Sequence, residues 1–214
     1  VKNEYLVENF SLILSSSQKE KINFLKTFFA PYTQNIYIVG GFLRDQIVGL
    51  QSDDIDIEVY DVEEEIFYTL MEKLGASELS KNFFVYNYEG IDISLPRIEI
   101  KTGEGYHGFR MERTNNSFQA IQRRDFTCNT LMFHIYENKL YDYCGGVGDI
   151  ENKVLRVVNF ERFDEDSVRF LRAIRFMAYY GFAPETATKE ILKSMHLEDI
   201  TKTKIEKELK KLFL

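Results

Sequence analysis

Apolar and polar residues run through most of this chain in short stretches of changing period and settle into a helical period only near the end. Gln18 to Phe29 repeats at helical spacing and stops before Pro31. Ile36 to Val39 is a short β-type run ending in Gly40-Gly41, and Phe42 to Val48 predicts a helix stopped by Gly49. Ile55 to Tyr60 alternates as a strand, and Glu63 to Leu74 predicts a helix with Gly75 at its C-cap. Asn82 to Tyr88 and Ile91 to Leu95 predict strands joined by the turn Glu89-Gly90. Pro96 to Ser117, polar and punctuated by glycine, predicts a long loop of the functional or mobile kind. Asp125 to Phe133 predicts a helix, and Glu137-Asn138-Lys139 a hairpin turn. Beyond about Phe160 the pattern is wholly helical, from Glu165 to Tyr180, Pro184 to Met195 and Thr201 to the end. The expected fold is therefore α+β. A mixed sheet flanked by helices fills residues 1–159, and an all-helical segment fills residues 160–214.

With 214 residues there is room for one sizeable domain, or one domain and the start of a second. The 44% apolar and 29% charged fractions are those of a soluble globule. The apolar run SLIL is too short to span a bilayer and lacks the basic flank of a signal peptide, so the expectation is a cytoplasmic protein without a membrane partner. Cys128 and Cys144 form neither a disulfide framework nor a Cys-x-x-Cys pair, and both read as buried thiols. A net charge of −7 argues against general nucleic-acid binding. The charge is uneven, however. Every charged residue from Asp53 to Glu65 is acidic, whereas Arg123, Arg124, Arg169, Arg172 and Arg175 gather elsewhere and the C-terminus is rich in lysine.

That unevenness directs attention to VGGFLRDQIVGLQSDDIDIEV, Val39 to Val59. A strand turning through two glycines into a helix exposes backbone N–H groups at the positive end of a helix dipole. Gly41 permits close approach of a phosphate, and Arg44 adds a charged fork. The same residues also describe an ordinary tight turn with a surface arginine. Asp54 and Asp56, at i and i+2 of an extended run, project to one face and repel unless a cation lies between them. Mg²⁺ takes such oxygen ligands together with substrate phosphates; the other reading is an acidic edge strand in water. Asp92 in IDISL is a third candidate carboxylate, for a two-metal site or as a base, and equally describes an exposed strand aspartate. In QRRDFTCNTLMF, Arg124 is placed to meet phosphates and Asp125 to meet ribose hydroxyls or simply to open a helix. Asp166, Arg169, Arg172 and Arg175 recur every third residue along a helix that is otherwise largely apolar. Arginines there need acidic partners, and while pairing with Glu165 and Asp166 would serve a single one, three in register beside a phosphate site favour a ligand.

The segments VGGFLRDQIVG, DDIDI, ISLPRIE with GEGYHGF, RRDFTCNTL, DYCGGVGDIENKVLR and DEDSVRFLRAIRF occur in the order and spacing of a known family. The chain resembles the class II tRNA nucleotidyltransferases, the bacterial CCA-adding enzymes and their poly(A) polymerase relatives, within the DNA polymerase β superfamily. The resemblance implies a nucleotidyltransferase head followed by a helical neck. It implies transfer of CMP and AMP from CTP and ATP to the 3′ end of tRNA, with two Mg²⁺ ions on Asp54 and Asp56 and a third carboxylate at Asp92. It places Gly40, Gly41, Arg44, Arg124 and Asp125 at the nucleotide, and Asp166, Arg169, Arg172 and Arg175 along its base and triphosphate. Base choice then follows from hydrogen bonding: Asp166 accepts from the exocyclic amine of cytosine or adenine and Arg169 donates to the neighbouring ring acceptor. Guanine and uracil offer a carbonyl where the amine is needed.

Departures from the family pattern are also visible. Gln51 and Asp53 replace a common proline and lysine, Tyr143 stands where proline is usual, and a later element written Glu-Arg-Ile and followed by Glu-Leu appears here as Thr203-Lys204-Ile205 with Glu208-Leu209. The family continues into helical domains that grip tRNA. With no methionine at residue 1, the chain reads as a fragment or a short natural form. CC-adding, A-adding and poly(A)-adding variants share these motifs, and a nucleotide-binding head without catalysis is the reading from a different class.

Overall fold

The computed structural model describes residues 5–80, 83–101, 109–198 and 200–213. In chain order the first half comprises β1 (Leu6–Val7), α1 (Ser16–Phe29), β2 (Ile36–Val39), α2 (Gly41–Val48), β3 (Ile55–Val59) and α3 (Glu64–Leu74). Strands β4 (Ser77–Ser80), β5 (Val85–Tyr88), β6 (Ile91–Ser94), β7 (Arg97–Lys101) and β8 (Phe109–Arg113) follow. Next come α4 (Ser117–Ile121), β9 (Met132–His134), β10 (Lys139–Tyr141), α5 (Gly146–Glu151) and β11 (Val154–Leu155). The chain continues through α6 (Val168–Tyr180), β12 (Ala183–Pro184), α7 (Thr186–Ser194) and α8 (Lys202–Phe213).

Eight strands form one mixed sheet in the order β1-β10-β9-β2-β3-β6-β5-β4, in which only β3 and β6 run parallel. Alternation divides its two faces. Ile36, Ile38, Ile55, Ile57, Val59, Ile91 and Ile93 join a large core with Leu25 and Phe29 of α1, Phe42 and Leu43 of α2, and Phe67 and Met71 of α3. Tyr37, Val39, Met132 and Tyr141 belong to a smaller cluster on the other face. Register on that second face pairs Tyr37 with Glu58, Val39 with Asp56, and Asp56 with Asp92. The acidic residues of β3 thus share a face with aromatic and apolar neighbours.

The α+β expectation holds, and the early elements lie where hydrophobic period placed them. Ser15 and Gln18 close a reciprocal capping box on α1. Gly49 and Gly75 end α2 and α3 in left-handed conformation. Two expected elements of the first part differ in kind. The stretch expected to be a long loop instead holds the antiparallel pair β7–β8, registered from Arg97↔Arg113 to Lys101↔Phe109. Its strands carry charge along much of their length, so their β character is weak in the sequence. Most of the GEGYHGF segment lies outside the described residues. The expected helix from Asp125 to Phe133 is a 3₁₀ turn, Thr127–Asn129, followed by β9. Every residue from Asp125 to Ile135 is buried, so no amphipathic period marks its conformation. Long-range bonds decide it instead: Thr127 N–H donates to the Arg156 carbonyl (2.9 Å), and Val158 N–H donates to that of Asp125 (3.1 Å).

The C-terminal segment is helical apart from β12, which pairs in parallel with β11. Helix α6 begins at Val168, later than the expected Glu165, after a short 3₁₀ turn at Phe163–Glu165. Phe163, Phe176, Phe182, Leu192 and Met195 belong to the same core as the sheet, and the Phe126 ring lies 5.4 Å from Phe163 and 5.5 Å from Phe176. Cys128 is buried, and burial pushes its thiol up to about 12; Cys144 is half-buried rather than buried. No helix among the described residues is long and apolar enough to cross a membrane.

Helix α5 packs so closely on the 3₁₀ turn that a Cβ on Gly146 would lie 2.3 Å from the Thr127 carbonyl oxygen. Gly146→Ala is expected to cost about 2–3 kcal/mol through overpacking against backbone. A thermal melt checks this, with an expected fall of roughly 5–10 °C for a chain of this size.

Candidate active site

The bend between β2 and α2 is built on Gly40, whose φ of 78° and ψ of −140° suit glycine alone. Its N–H donates to the Leu131 carbonyl (3.3 Å), which ties the bend to the residue directly before β9. A Cβ at Gly40 would lie 3.1 Å from Arg124 Nη1 and 3.4 Å from Asp56 Oδ2. The double-glycine bend, the acidic strand and the RRD segment therefore converge on one point.

Around that point opens a cleft of about 930 Å³. Among the candidate residues, Gly40, Gly41, Arg44, Asp54, Asp56, Arg124, Asp125, Asp166, Arg169, Arg172 and Arg175 all line it. Asp92 does not. It is half-buried on β6 beside Asp56, and its Oδ1 accepts from Asn87 Nδ2 at 2.7 Å. Asp54 directly precedes β3 and is exposed, while Asp56 is half-buried. Burial, then the Asp54 charge, then those of Asp92 and Glu58, push the Asp56 carboxyl up to about 6 against the opposing pull of Arg124. Such mutual repulsion is what a hard cation relieves, so the donor set fits magnesium. Among the described residues no group of three or more His, Cys, Asp or Glu converges as a ready-made cation site.

The arginines lie at the expected place but already have protein partners. Arg44 is buried and donates through Nε to Asp45 (3.0 Å), through Nη1 to Asn129 Oδ1 (2.5 Å) and through Nη2 to the Tyr180 hydroxyl (2.6 Å). Its guanidinium also lies over the Phe176 and Tyr180 rings. Arg172 Nε donates to Asp125 Oδ2 at 2.6 Å, and Asp125 Oδ1 accepts from Asn129 Nδ2 and Phe126 N–H, both at 2.8 Å. Burial alone would raise the Asp125 carboxyl, yet Arg172 holds it well below the usual carboxylate range. Asp125 is thus an internal anchor in this structure rather than an exposed acceptor. Arg175 Nε donates to Glu208 of α8 (2.8 Å). Arg169 Nη1 and Nη2 donate to the carbonyls of Arg162 (2.8 Å) and Arg123 (2.9 Å). Asp166 precedes α6 rather than lying within it, and its Oδ1 accepts from Val168 N–H (3.0 Å).

Several cleft residues escape a motif-based reading. Asp45, Asn129 and Tyr180 build the setting of Arg44, and Lys204, Lys207, Glu208 and Lys211 form an α8 wall. In the sequence Glu208 marks the Glu-Leu of a late family element, with nothing to tie it to Arg175. Its partner lies thirty-three positions away, a separation no local pattern reports.

A family model described as the poly(A) polymerase head domain matches residues 36–156. The chain belongs to that family. This poly(A) polymerase head-domain member is 36% identical over 184 residues to the Multifunctional CCA protein of Xylella fastidiosa (strain 9a5c), an alignment covering 81% of the chain and 43% of the relative. It superposes on the Thermotoga maritima CCA-adding enzyme complexed with tRNA with a TM-score of 0.74 and 26% identity, covering 94% of this chain and 48% of that one. A CCA-adding enzyme complexed with CTP gives 0.73 and 26%, over 94% and 47%. The chain spans about half the length of the relatives it matches. The family model ends before α6, so the Asp166–Arg175 row lies beyond the matched head.

The Arg172–Asp125 pair ties α6 to the RRD segment, and its contribution follows pH in a definite direction. Because the folded Asp125 carboxyl titrates below an unfolded aspartate at about 3.9, the stabilisation is complete above that value and is lost as pH falls through the folded one. Asp125→Asn is expected to lower unfolding free energy by on the order of 3 kcal/mol at neutral pH. Denaturant titrations at several pH values check this, with the gap to wild type constant above about pH 5 and narrowing below pH 4.

Proposed function

We propose that the cleft is a nucleotidyltransferase site that adds CMP or AMP from CTP or ATP to the 3′ end of tRNA, in a cytoplasmic setting. The observation that carries this reading is the convergence of Gly40, Asp56 and Arg124 on one point beside an arginine-lined cleft. Named relatives include CCA proteins and complexes with tRNA and with CTP, which supports the same substrate classes here.

In this reading the two parts of the chain divide the work. The head, residues 1–159, holds the triphosphate and the acidic residues; the neck, residues 160–214, reads the base. Phosphate oxygens meet the N–H groups of the Gly40-Gly41 bend at the start of α2, together with Arg124. Asp54 and Asp56 would hold Mg²⁺ in a two-metal arrangement, which when bound supplies charge neutralisation at the reacting phosphate. The tRNA 3′-hydroxyl attacks the α-phosphate, Asp92 beside Asp56 takes its proton, and the bond to the β-phosphate breaks as pyrophosphate leaves. Arg44, Arg172 and Arg175, each engaged by the protein, contribute a positive field over the triphosphate and hold the walls of the cleft. Asp166 accepts from the exocyclic amine of cytosine or adenine. Arg169 shares in base reading by exchanging one of its two carbonyl bonds for the ring acceptor. A second reading, a head that binds nucleotide without transferring it, has the same cleft and is separated from the first by product formation.

Labelled CTP or ATP, Mg²⁺ and tRNA ending in each partial tail are expected to yield extended tRNA, and the bases added distinguish CCA, CC, A and poly(A) addition. Asp54→Ala is expected to abolish transfer while leaving the melting temperature nearly unchanged; activity surviving in Mg²⁺ would falsify the metal assignment. Asp166→Ala is expected to blur preference for CTP and ATP over UTP and GTP more than it weakens triphosphate binding. Competition among the four nucleotides measures that, and an intact preference removes Asp166 from base selection.

A further inference from the structure

Glu58 lies two residues beyond Asp56 on β3, so both side chains leave the strand on the same face. Their surroundings are opposite. Asp56 lines the cleft, whereas Glu58 is 2% exposed. A buried carboxylate is costly unless it is paired and hydrogen-bonded throughout, and this one is. Its Oε1 accepts from Arg123 Nη2 (2.8 Å) and Arg124 Nη2 (3.0 Å), and its Oε2 accepts from the Tyr60 hydroxyl (2.9 Å).

One carboxylate thus holds two adjacent arginines whose like charges otherwise push them apart. Arg97 of β7 is a third cation near the same group. Arg124 has a second tether, from Nη1 to the Asn129 carbonyl (3.2 Å). Held at both ends, its guanidinium overhangs the double-glycine bend, with Nη1 3.1 Å from where a Gly40 Cβ would stand. The acidic run through β3 therefore does two different things along three alternate residues, the first of which directly precedes the strand. Asp54 and Asp56 stand at the cleft, and Glu58 fixes a cation above it.

We propose that Glu58 is a positioning residue that sets Arg124 over the Gly40-Gly41 bend to receive nucleotide phosphates, without itself touching the nucleotide. The assignment rests on the nucleotidyltransferase reading above. It separates from a purely structural role because displacing a ground-state phosphate contact raises KM, whereas partial unfolding lowers kcat by removing active protein.

The test is Glu58→Gln, which keeps size and one acceptor oxygen and removes the charge. With CTP or ATP and tRNA lacking its 3′ end, KM for the nucleotide is expected to rise about tenfold with kcat within about threefold, the scale of one charge-assisted hydrogen bond. Combined with Arg124→Ala, the loss is expected to be no greater than that of Arg124→Ala alone, since one residue acts through the other. An unchanged KM in the folded variant, or losses that multiply independently, overturns the proposal. If Glu58→Gln does not fold, Tyr60→Phe keeps the charge and removes one anchor, and about a twofold rise in KM is expected; no rise overturns the assignment. Wild type that transfers nothing defeats the nucleotidyltransferase reading instead. Equilibrium titration with CTP then decides Glu58 alone: weaker binding in Glu58→Gln, absent in the Arg124→Ala background, supports it, and equal binding or none overturns it.

Discussion

The structure depends on how the negative charge of β3 is compensated. Asp56 and Glu58 occupy alternate positions beside β2, where a sheet interior ordinarily carries apolar side chains, and the exposed Asp54 directly precedes them. Glu58 is compensated inside the protein, by two arginines and a tyrosine hydroxyl. Asp56 is not: its carboxyl is pushed up to about 6 by burial, by Asp54 and then by Asp92 and Glu58, with only Arg124 pulling the other way. The same strand thus satisfies one acid within the protein and leaves the other under the repulsion of its neighbours.

A second consequence concerns the joining of head and helical segment. Arg44 of α2 reaches Asn129 in the 3₁₀ turn, Asn129 reaches Asp125, and Asp125 accepts from Arg172 of α6. A parallel branch runs from Arg44 to Tyr180, whose hydroxyl donates back to Asp45 (2.9 Å). Such a network is stable only when each member is satisfied, and Phe126, next to Asp125, packs against Phe163 and Phe176. The cleft walls are consequently fixed relative to one another by the very arginines that give the cleft its charge.

Much of this was legible in the sequence because it is local. The period-two run at Ile55–Val59, the capping box of α1 and the glycine stops of α2 and α3 express backbone sterics and burial within a few residues. The motifs placed eleven of the twelve candidate residues on one cleft, and the twelfth, Asp92, beside it. Tertiary structure alone decided the rest. Uniform burial erased any period from Asp125 to Ile135, so the conformation there is set by bonds to Arg156 and Val158. Partner choice followed the same rule: a charged side chain's need for a counterion is written in its chemistry, but which counterion satisfies it is a matter of distance in space. Arg175 takes Glu208, Arg172 takes Asp125 and the adjacent Arg123 and Arg124 take Glu58, choices fixed only when the sheet register and the packing of α6 bring those groups together.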